Sequence, residues 1–364
     1  MSKSMRKAHP VPAVAPVVTI GLDVGDRYTA VCVVDAAGEV SETARVRTTP
    51  AALEQRLRGL PRCRVVLETG THSAWLSRVA EACGHEVVVA NARRLRLISE
   101  NASKSDDVDA ETLARVGRLD PTLLAPVQLR TADTQAALAV LRARDAMVRT
   151  RTLLINHVRG AVKTLGARLP ACSAPSFARR VGLALPAPLA PALTPLLEQI
   201  QQLTRQIADY DRAIEQLAAQ RYPVTAALRH VRGVGPLTAL CYVLVVEDPA
   251  RFASSRAVGA YVGLRPRRAQ SGTTDPQLHI TKTGDALLRR LLVNSAQYLL
   301  GPFGGDCDLR RWGLALAARG GKAAKNRAVV AVARKLAVLL HHLWTSGVRY
   351  DPLYQATRHA VQAA

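Results

Sequence analysis

The sequence predicts a mixed α/β unit followed by α-rich units, and three observations lead to this expectation. Strand-like and helix-like runs alternate from residue 17 to about residue 130. After residue 131 the strand pattern disappears, and helical patterns dominate the remainder. A chain of 364 residues is also too long for one ordinary core. We therefore expect a disordered lead over 1–16 and domains over 17–130, 131–222 and 223–364.

The first unit opens with three short β-branched runs separated by turns, which predict three consecutive strands. The expected strands cover 17–24, 28–34, 40–47, 64–68 and 86–90. Helical patterns fill the intervals at 50–60 and 73–83 and continue from residue 90 to residue 117. Three strands followed by alternating helix and strand is the element order of a ribonuclease-H-like (RuvC-like) fold, a mixed sheet flanked by helices.

The segment 131–165 is helical in pattern and strongly basic. Its cations are Arg142, Arg144, Arg149, Arg151, Arg159 and Lys163, against only Asp133 and Asp145. Such a helix could lie along a phosphate backbone.

A Pro-rich linker over 170–195 leads into a heptad pattern with alternating spacings of three and four. The pattern consists of Leu193, Leu196, Ile200, Leu203, Ile207, Tyr210, Ile214 and Leu217. It predicts either a coiled-coil arm, and hence a homodimer, or a helix packed on its own domain, for which ordinary helical periodicity serves as well.

The segment 228–239 has the pattern of a helix-hairpin-helix, in which Gly233 and Gly235 form a short loop before a helix. The first-turn N–H groups of such a helix can bind a phosphate. A plain turn between two helices is the alternative. The charge of the chain favours contact with nucleic acid at this turn.

The composition limits the classes of function that the protein can have. Lys and Arg number 50 against 28 Asp and Glu, a net charge of +22, so the default partner is nucleic acid. An apolar fraction of 48% is too high for a typical packaging protein, and 4% aromatics gives little support for recognition by base stacking.

Cysteine usage and the N-terminus bear on location. The six cysteines show no C-x-x-C spacing, and we read them as small buried hydrophobes in a reducing cytoplasm. Prolines interrupt the N-terminus, and they also interrupt 182–195, which we take as the most apolar later stretch. We expect neither a signal peptide nor a membrane span.

Four acids in this basic chain predict a divalent-metal site. Asp23 and Glu68 lie on predicted neighbouring strands, and Asp106 and Asp109 share one face of a predicted helix, whereas Asp107 points elsewhere. Carboxylates suit Mg²⁺, with Mn²⁺ as a substitute, and such sites serve phosphodiester chemistry. Each acid also has a structural interpretation: a solvent-facing strand residue, a strand end, or a helix N-terminus capped by Ser105 or Asp106.

Several motifs extend this pattern along nearly the whole chain. They read GLDVG at 21–25, LETG at 67–70, KSDDVDA at 104–110, GVGP at 233–236, YVGLRP at 261–266 and QSG at 270–272. In this order they resemble the DEDD transposases of the bacterial insertion sequence 110/116/902 family. The resemblance implies a RuvC-like domain with the metal ligands Asp23, Glu68, Asp106 and Asp109, and a C-terminal transposase domain with a nucleophilic Ser271.

The resemblance also implies partners. These are donor and target DNA, a structured bridge RNA that pairs with both, and a homodimer, or a tetramer in the synaptic complex, with composite sites. Cations around Ser271 are expected to contact phosphates: Arg265, Arg267, Arg268, Lys282 and Arg289. After Gly272 the chain has Thr273, Thr274 and Asp275, where the family resemblance implies that basic residues are common, so phosphate contacts are not expected from these three residues.

Three functions remain in competition at this point. The first is an RNA-guided recombinase that forms a phosphoserine on Ser271. The second is a structure-specific RuvC-like resolvase that uses a metal-activated water. The third is a nucleic-acid-binding protein with a decayed site, against which the intact acids and serine argue.

Overall fold

The computed structural model describes residues 18–92, 105–276 and 278–355. It divides into two compact units, Met1–Ala132 and Asp133–Ala364. The lead expected over 1–16, the first residue of the first predicted strand and Lys104 lie outside the described residues. The separation of a further domain at residue 222 stays a prediction.

The first unit contains a five-stranded mixed sheet. Its strands are β1 (Thr19–Val24), β2 (Tyr28–Val34), β3 (Val40–Arg47), β4 (Arg64–Glu68) and β5 (Glu86–Ala90). They lie in the order β3-β2-β1-β4-β5, antiparallel through the opening meander and parallel from β1 to β4 and β5. The predicted α/β class and strand bounds are confirmed within a residue or two, and the sheet is consistent with a ribonuclease-H-like unit.

Helices cover both faces of this sheet. They are α1 (Pro50–Arg58), α2 (Ser73–Ala82) and α3 (Asp106–Leu119). Because side chains alternate along a strand, Leu22 and Leu67 pack with α1 and α2, whereas Cys32 and Val66 contribute to the clusters on the α3 face.

Gly21 explains how closely α3 lies on the sheet. A Cβ on Gly21 would come within 1.8 Å of the Ala110 carbonyl oxygen, so only glycine lets this strand and helix meet backbone to backbone. The helix is thereby fixed against the middle of β1.

The second unit is α-rich. Its helices are α4 (Ala132–Thr164), α5 (Phe177–Gly182), α6 (Ala190–Arg221), α7 (Val224–Leu228), α8 (Pro236–Val246), α9 (Ser255–Tyr261), α10 (Ala286–Leu300), α11 (Asp308–Ala317) and α12 (Gly321–Ser346). The α8 sequence is apolar on every side, which suits a helix surrounded by others. The Tyr242 hydroxyl at its centre donates a 2.7 Å hydrogen bond to the Ala337 carbonyl of α12.

The heptad pattern lies on α6, and much of its seam is covered by the same chain. Leu193 and Ile200 share a cluster with Ile155 and Val158 of α4, and Ile214 belongs to the main core. This packing favours the second interpretation of the heptads, a helix packed on its own unit.

Most cations of the basic helix α4 are engaged within this unit. Arg144 pairs with Asp211 at 2.7 Å, Arg142 with Asp285 at 3.2 Å, and the Arg159 guanidinium lies over the Phe177 ring. These contacts account for part of its basic composition by packing within the unit, and its contact with a phosphate backbone stays a prediction.

All six cysteines are free thiols, four of them buried and two half-buried. Burial raises the pKa of the Cys63 thiol to about 11, and the Cys63 N–H donates to His85 Nδ1. These thiols therefore pack as small hydrophobes, as the sequence predicted.

By length and composition, α12 is apolar enough to cross a membrane, as is the bent pair Ala174–Gly182 and Ala187–Arg221 if taken as one span. The stretch expected from sequence to be the most apolar, 182–195, overlaps the bent pair and not α12. Val332, Leu336 and Leu340 of α12 belong to the main core, and core helices have the same length and composition.

Candidate active site

Two of the predicted acids sit at the ends of adjacent parallel strands. Asp23 is the penultimate residue of β1 and Glu68 is the last residue of β4. The register pairs Leu22 with Leu67, so Asp23 and Glu68 follow side by side. Both side chains are half-buried and make further polar or electrostatic contacts.

At the position of Asp23 and Glu68, one residue from each of the five strands contributes to a row of paired residues across the sheet. Asp23 pairs with Ala30, Ala30 with Arg45, and Glu68 with Ala90, which leaves the two acids flanked by alanines. Paired residues project from the same face of a sheet, and here that face carries α3. The small neighbours leave room beside the two carboxylates.

The α3 helix brings a third acid to this face. Asp109 precedes Ala110, the residue that touches Gly21, and is only 6% exposed. Its Oδ1 atom is buried and accepts no hydrogen bond from the described residues. A buried carboxylate oxygen without a partner is costly unless a cation or donor binds it. The donor set of Asp23, Glu68 and Asp109 therefore fits a hard divalent cation.

The fourth acid, Asp106, forms an ion pair with an arginine. Asp106 forms a 3.0 Å ion pair with Arg45, and both side chains are more than 60% exposed. Ser105 caps α3 by accepting a hydrogen bond from the Val108 N–H, so the helix-terminus interpretation of these acids also holds.

The structure brings the acids to one sheet face without closing a ligand shell. Among the described residues, no three His, Cys, Asp or Glu side chains are grouped as a metal site. Asp106 is instead paired with Arg45.

Ser271 lies in the second unit, at the tip of a two-stranded ribbon formed by residues 265–276 and 278–282. Its N–H and carbonyl exchange hydrogen bonds with Thr274 at 3.1 and 3.0 Å, which closes a two-residue turn. Gly272 takes φ +56° at the first turn position, a conformation that suits glycine. Below the tip, the Arg267 N–H donates to the His279 carbonyl at 2.9 Å. The Ser271 side chain is exposed.

Cations surround this ribbon. Arg265, Arg267, Arg268 and Lys282 are exposed. Arg268 lies 3.7 Å from Asp275. The acid therefore offsets part of the positive charge beside the serine.

Arg289, also expected to contact phosphate, holds the base of the ribbon. Its guanidinium donates to the carbonyls of Val262 and Thr283 at 3.2 and 2.8 Å. Gly263 and Gly284 lie there with positive φ, each with a backbone oxygen 2.1 Å from where its Cβ would be. These contacts tie the ribbon to the core.

The predicted helix-hairpin-helix segment is a turn between α7 and α8. Gly233 has φ +81°, and a Cβ there would lie 3.0 Å from the Ser295 carbonyl oxygen. Gly235 is the N-cap residue of α8 and, as a glycine, has no side chain with which to cap the helix. The turn borders a groove of about 480 Å³ that is also lined by Arg229 and Arg232. Both glycines lie in a turn between two helices, which fits a helix-hairpin-helix and a plain turn alike; the helix-hairpin-helix and its contact with nucleic acid stay predictions.

Sequence reasoning missed two residues near the acids, Arg45 and His72. Arg45 is distant in sequence and reaches the row only through the register of β3 with β2. His72 follows Glu68 by four residues, in the loop after β4, so the LETG motif marked its position without indicating its contacts.

Comparison with known proteins adds two family matches and several relatives. A DEDD transposase model of the IS110 type, described as "Transposase", matches residues 20–166, and one described as "Transposase IS116/IS110/IS902 family" matches residues 225–302. The chain is 30% identical to the transposase for insertion sequence element IS1111A of Coxiella burnetii, covering 91% of this chain and 90% of that protein. A probable family 20 transposase of Pseudomonas aeruginosa is 28% identical, covering 92% and 98%. The IS1328 transposase of Yersinia enterocolitica is 30% identical, covering 70% and 75%.

Proposed function

Because the chain belongs to the IS116/IS110/IS902 family of insertion-sequence transposases, we propose that it is an RNA-guided DNA recombinase that cuts and rejoins strands through a phosphoserine on Ser271. The observation that carries the proposal is the exposed position of Ser271, at the tip of a ribbon that bears four cations. A nucleophile there can reach a bulky duplex that no enclosed pocket would admit.

The chemistry of the serine accounts for rejoining. Attack by Ser271 Oγ forms an O–P bond while the bond from phosphorus to a deoxyribose oxygen breaks, and that oxygen leaves as a hydroxyl after taking a proton. The phosphoserine conserves the energy of the phosphodiester, so a second strand can be joined without a high-energy cofactor. Arg265, Arg267, Arg268 and Lys282 would bind phosphates on either side, and the contacts of Arg289 would hold the ribbon in place.

The acidic site of the first unit would hold Mg²⁺, with Mn²⁺ as a substitute. Asp23, Glu68 and Asp109 would bind it, joined by Asp106 once that side chain leaves Arg45. When bound, the metal supplies neutralisation of charge on a phosphate. The buried Oδ1 of Asp109 supports this assignment.

The partners follow from charge and chemistry. A net charge of +22 suits two duplexes and an RNA in the bacterial cytoplasm. The turn at Gly233 and Gly235 would bind a phosphate, while pairing with a bridge RNA would select the sequence. A homodimer, or a tetramer on paired DNA ends, would let one protomer supply Ser271 to the acids of another.

The alternative is a metal-dependent RuvC-like resolvase without a covalent intermediate. The observation that favours it is that Asp23, Glu68 and Asp109 lie on one face of the sheet unit, and hydrolysis by a metal-activated water would require no serine.

The deciding experiment compares Ser271→Ala with Thr273→Ala, an exposed neighbour in the same turn. DNA carrying the element ends is incubated with the full chain, its copurified RNA and Mg²⁺, and protein–DNA adducts are resolved under denaturing conditions. We expect Ser271→Ala to lose the adduct and strand exchange while it retains RNA binding, and Thr273→Ala to retain all three.

Cleavage that survives in Ser271→Ala would establish the resolvase instead. Sequencing the copurified RNA is a separate test of RNA guidance. If only random fragments are found, RNA guidance is refuted, whereas the proposed phosphoserine chemistry is not affected.

A further inference from the structure

We propose that His72 is an additional substrate-contacting residue of the acidic site, whose Nε2–H donates to a nonbridging oxygen of a DNA phosphate. The inference rests on the proposed placement of a phosphate beside Asp23 and Glu68. It holds equally for the recombinase and for the resolvase, because both bring a phosphodiester to these acids.

The position of His72 is set by the topology of the sheet. It lies in the loop between β4 and α2, four residues after Glu68, and Asp26 lies in the turn that follows Asp23 on β1. His72 Nε2 is 3.5 Å from Asp26 Oδ1, so the imidazole spans the two loops that leave the acid-bearing strand ends. A phosphate held at these strand ends would lie at the same edge of the sheet.

The neighbouring tryptophan fixes which nitrogen carries the hydrogen. Trp75 Nε1–H donates a 3.1 Å hydrogen bond to His72 Nδ1, and the two rings meet edge to face. An indole N–H can only donate, so Nδ1 accepts and the neutral imidazole carries its hydrogen on Nε2. The donor is therefore oriented before substrate binds, which is what preorganised stabilisation of an anion requires.

The present acceptor is a weak one. A distance of 3.5 Å exceeds that of a normal N–H···O hydrogen bond, and the Asp26 side chain is 95% exposed. A phosphate oxygen can replace it at little cost and gives a charge-assisted bond.

A purely structural role explains the side chain less well. His72 occupies the N-cap of α2, yet its imidazole makes no capping hydrogen bond among the described residues. Only the backbone carbonyl of His72 contributes to the helix, because it accepts a 3.2 Å hydrogen bond from the Leu76 N–H. The side chain is 29% exposed, at the surface where DNA would bind.

The test measures single-turnover DNA cleavage by the full chain with its copurified RNA and Mg²⁺, at saturating DNA. His72→Phe, which lacks the donor, is expected to slow cleavage about 100-fold, the usual effect of losing one preorganised donor to a developing oxyanion. His72→Gln, which retains an N–H donor, should remain within about tenfold of wild type. Trp75→Phe, which leaves His72 without its fixed tautomer, should fall between them.

Asp26→Asn is the matched control, because it weakens the link between the two loops but leaves the donor. We expect it to cleave at the wild-type rate. The inference is overturned if Asp26→Asn is as slow as His72→Phe, since the link would then be what matters, or if His72→Phe cleaves normally. Wild-type protein that does not cleave, or Ser271→Ala that still does, would refute the proposed recombinase rather than the role of His72.

Discussion

The acidic site and the serine ribbon are built in opposite ways. Asp23, Glu68 and Asp109 are fixed by the register of central strands and by a helix in backbone contact with Gly21. Ser271 projects from an exposed turn held by two hydrogen bonds. The contrast teaches that one half of the chemistry depends on the stability of a core, whereas the other depends on the conformation of one short turn.

Burial also gives the two regions different needs. The Oδ1 atom of Asp109 is buried and accepts no hydrogen bond from the described residues, and the burial of a polar atom without a partner is unfavourable. Ser271 Oγ faces solvent and carries no such cost. A divalent cation should therefore stabilise the first unit and leave the ribbon unaffected.

The largest expected effect is that of Gly21→Ala, which breaks the acidic site through its packing. The new Cβ would meet the Ala110 carbonyl oxygen at 1.8 Å and displace α3. Overpacking of this kind costs about 3 kcal/mol of unfolding free energy. Urea unfolding measures the loss.

Gly70→Ala is the control, because nothing lies within 4 Å of its Cβ position. The packing argument fails if the two variants lose equal stability. Hydrogen exchange at the Thr281 amide of the ribbon should be the same in both.

The second prediction concerns Asp109→Asn and is measured as cation-dependent stability. At Mg²⁺ concentrations about 100 times the dissociation constant, the wild-type protein should gain about 2.7 kcal/mol, because the cation binds only the folded site. The variant should gain little. Thermal unfolding with and without Mg²⁺ records the difference.

Asp107→Asn is the matched control, because Asp107 lies two residues before Asp109 and is exposed. This variant should retain the full gain in stability with Mg²⁺. A variant at position 109 that responds to Mg²⁺ like wild type would remove Asp109 from the ligand set.

Much of the first unit could be predicted from sequence because its signals are local. Apolar β-branched runs bounded by turns place β2, β3, β4 and β5 at their observed residues, and the parallel register then sets Asp23 beside Glu68. What the pattern could not provide were contacts between distant residues, such as the ion pair between Arg45 and Asp106.

The second unit was harder for the same physical reason. A heptad pattern looks identical whether its seam meets a partner or α4 of the same chain. A basic helix likewise does not disclose that its arginines are paired internally. The role of Ser271 came from resemblance alone, because a serine before a turn glycine has no local chemical signature.

The third prediction, Gly272→Ala, sharpens the comparison from the side of the ribbon. Nothing lies within 4 Å of the new Cβ, so the only cost is that of φ +56°, about 1–2 kcal/mol for an L-residue. Such a cost lowers the ratio of native to open conformations of the turn about tenfold. We expect faster hydrogen exchange at the Ser271 amide and slower adduct formation, with little change in global stability.

Gly235→Ala serves as the control, because its backbone is extended and its Cβ position is also open. Unchanged exchange at Ser271 in the Gly272 variant would mean that the turn does not depend on glycine.

The smallest stability effect is expected for Arg45→Ala, a substitution in the sheet of the first unit. The Arg45 pair with Asp106 is an exposed ion pair, and such pairs contribute under about 1 kcal/mol to the free energy of unfolding. Arg58→Ala removes a comparable exposed ion pair with Glu54 and should cost as little unfolding free energy.

The informative measurement for Arg45→Ala is Mg²⁺ affinity by calorimetry. If Asp106 joins the ligand set only after it leaves Arg45, then Arg45→Ala removes a competitor and binds Mg²⁺ several-fold more tightly, whereas Arg58→Ala does not. Unchanged affinity in both variants would mean that Asp106 stays outside the ligand set and that three carboxylates form the site, because an ion pair that competes with no cation cannot alter its binding.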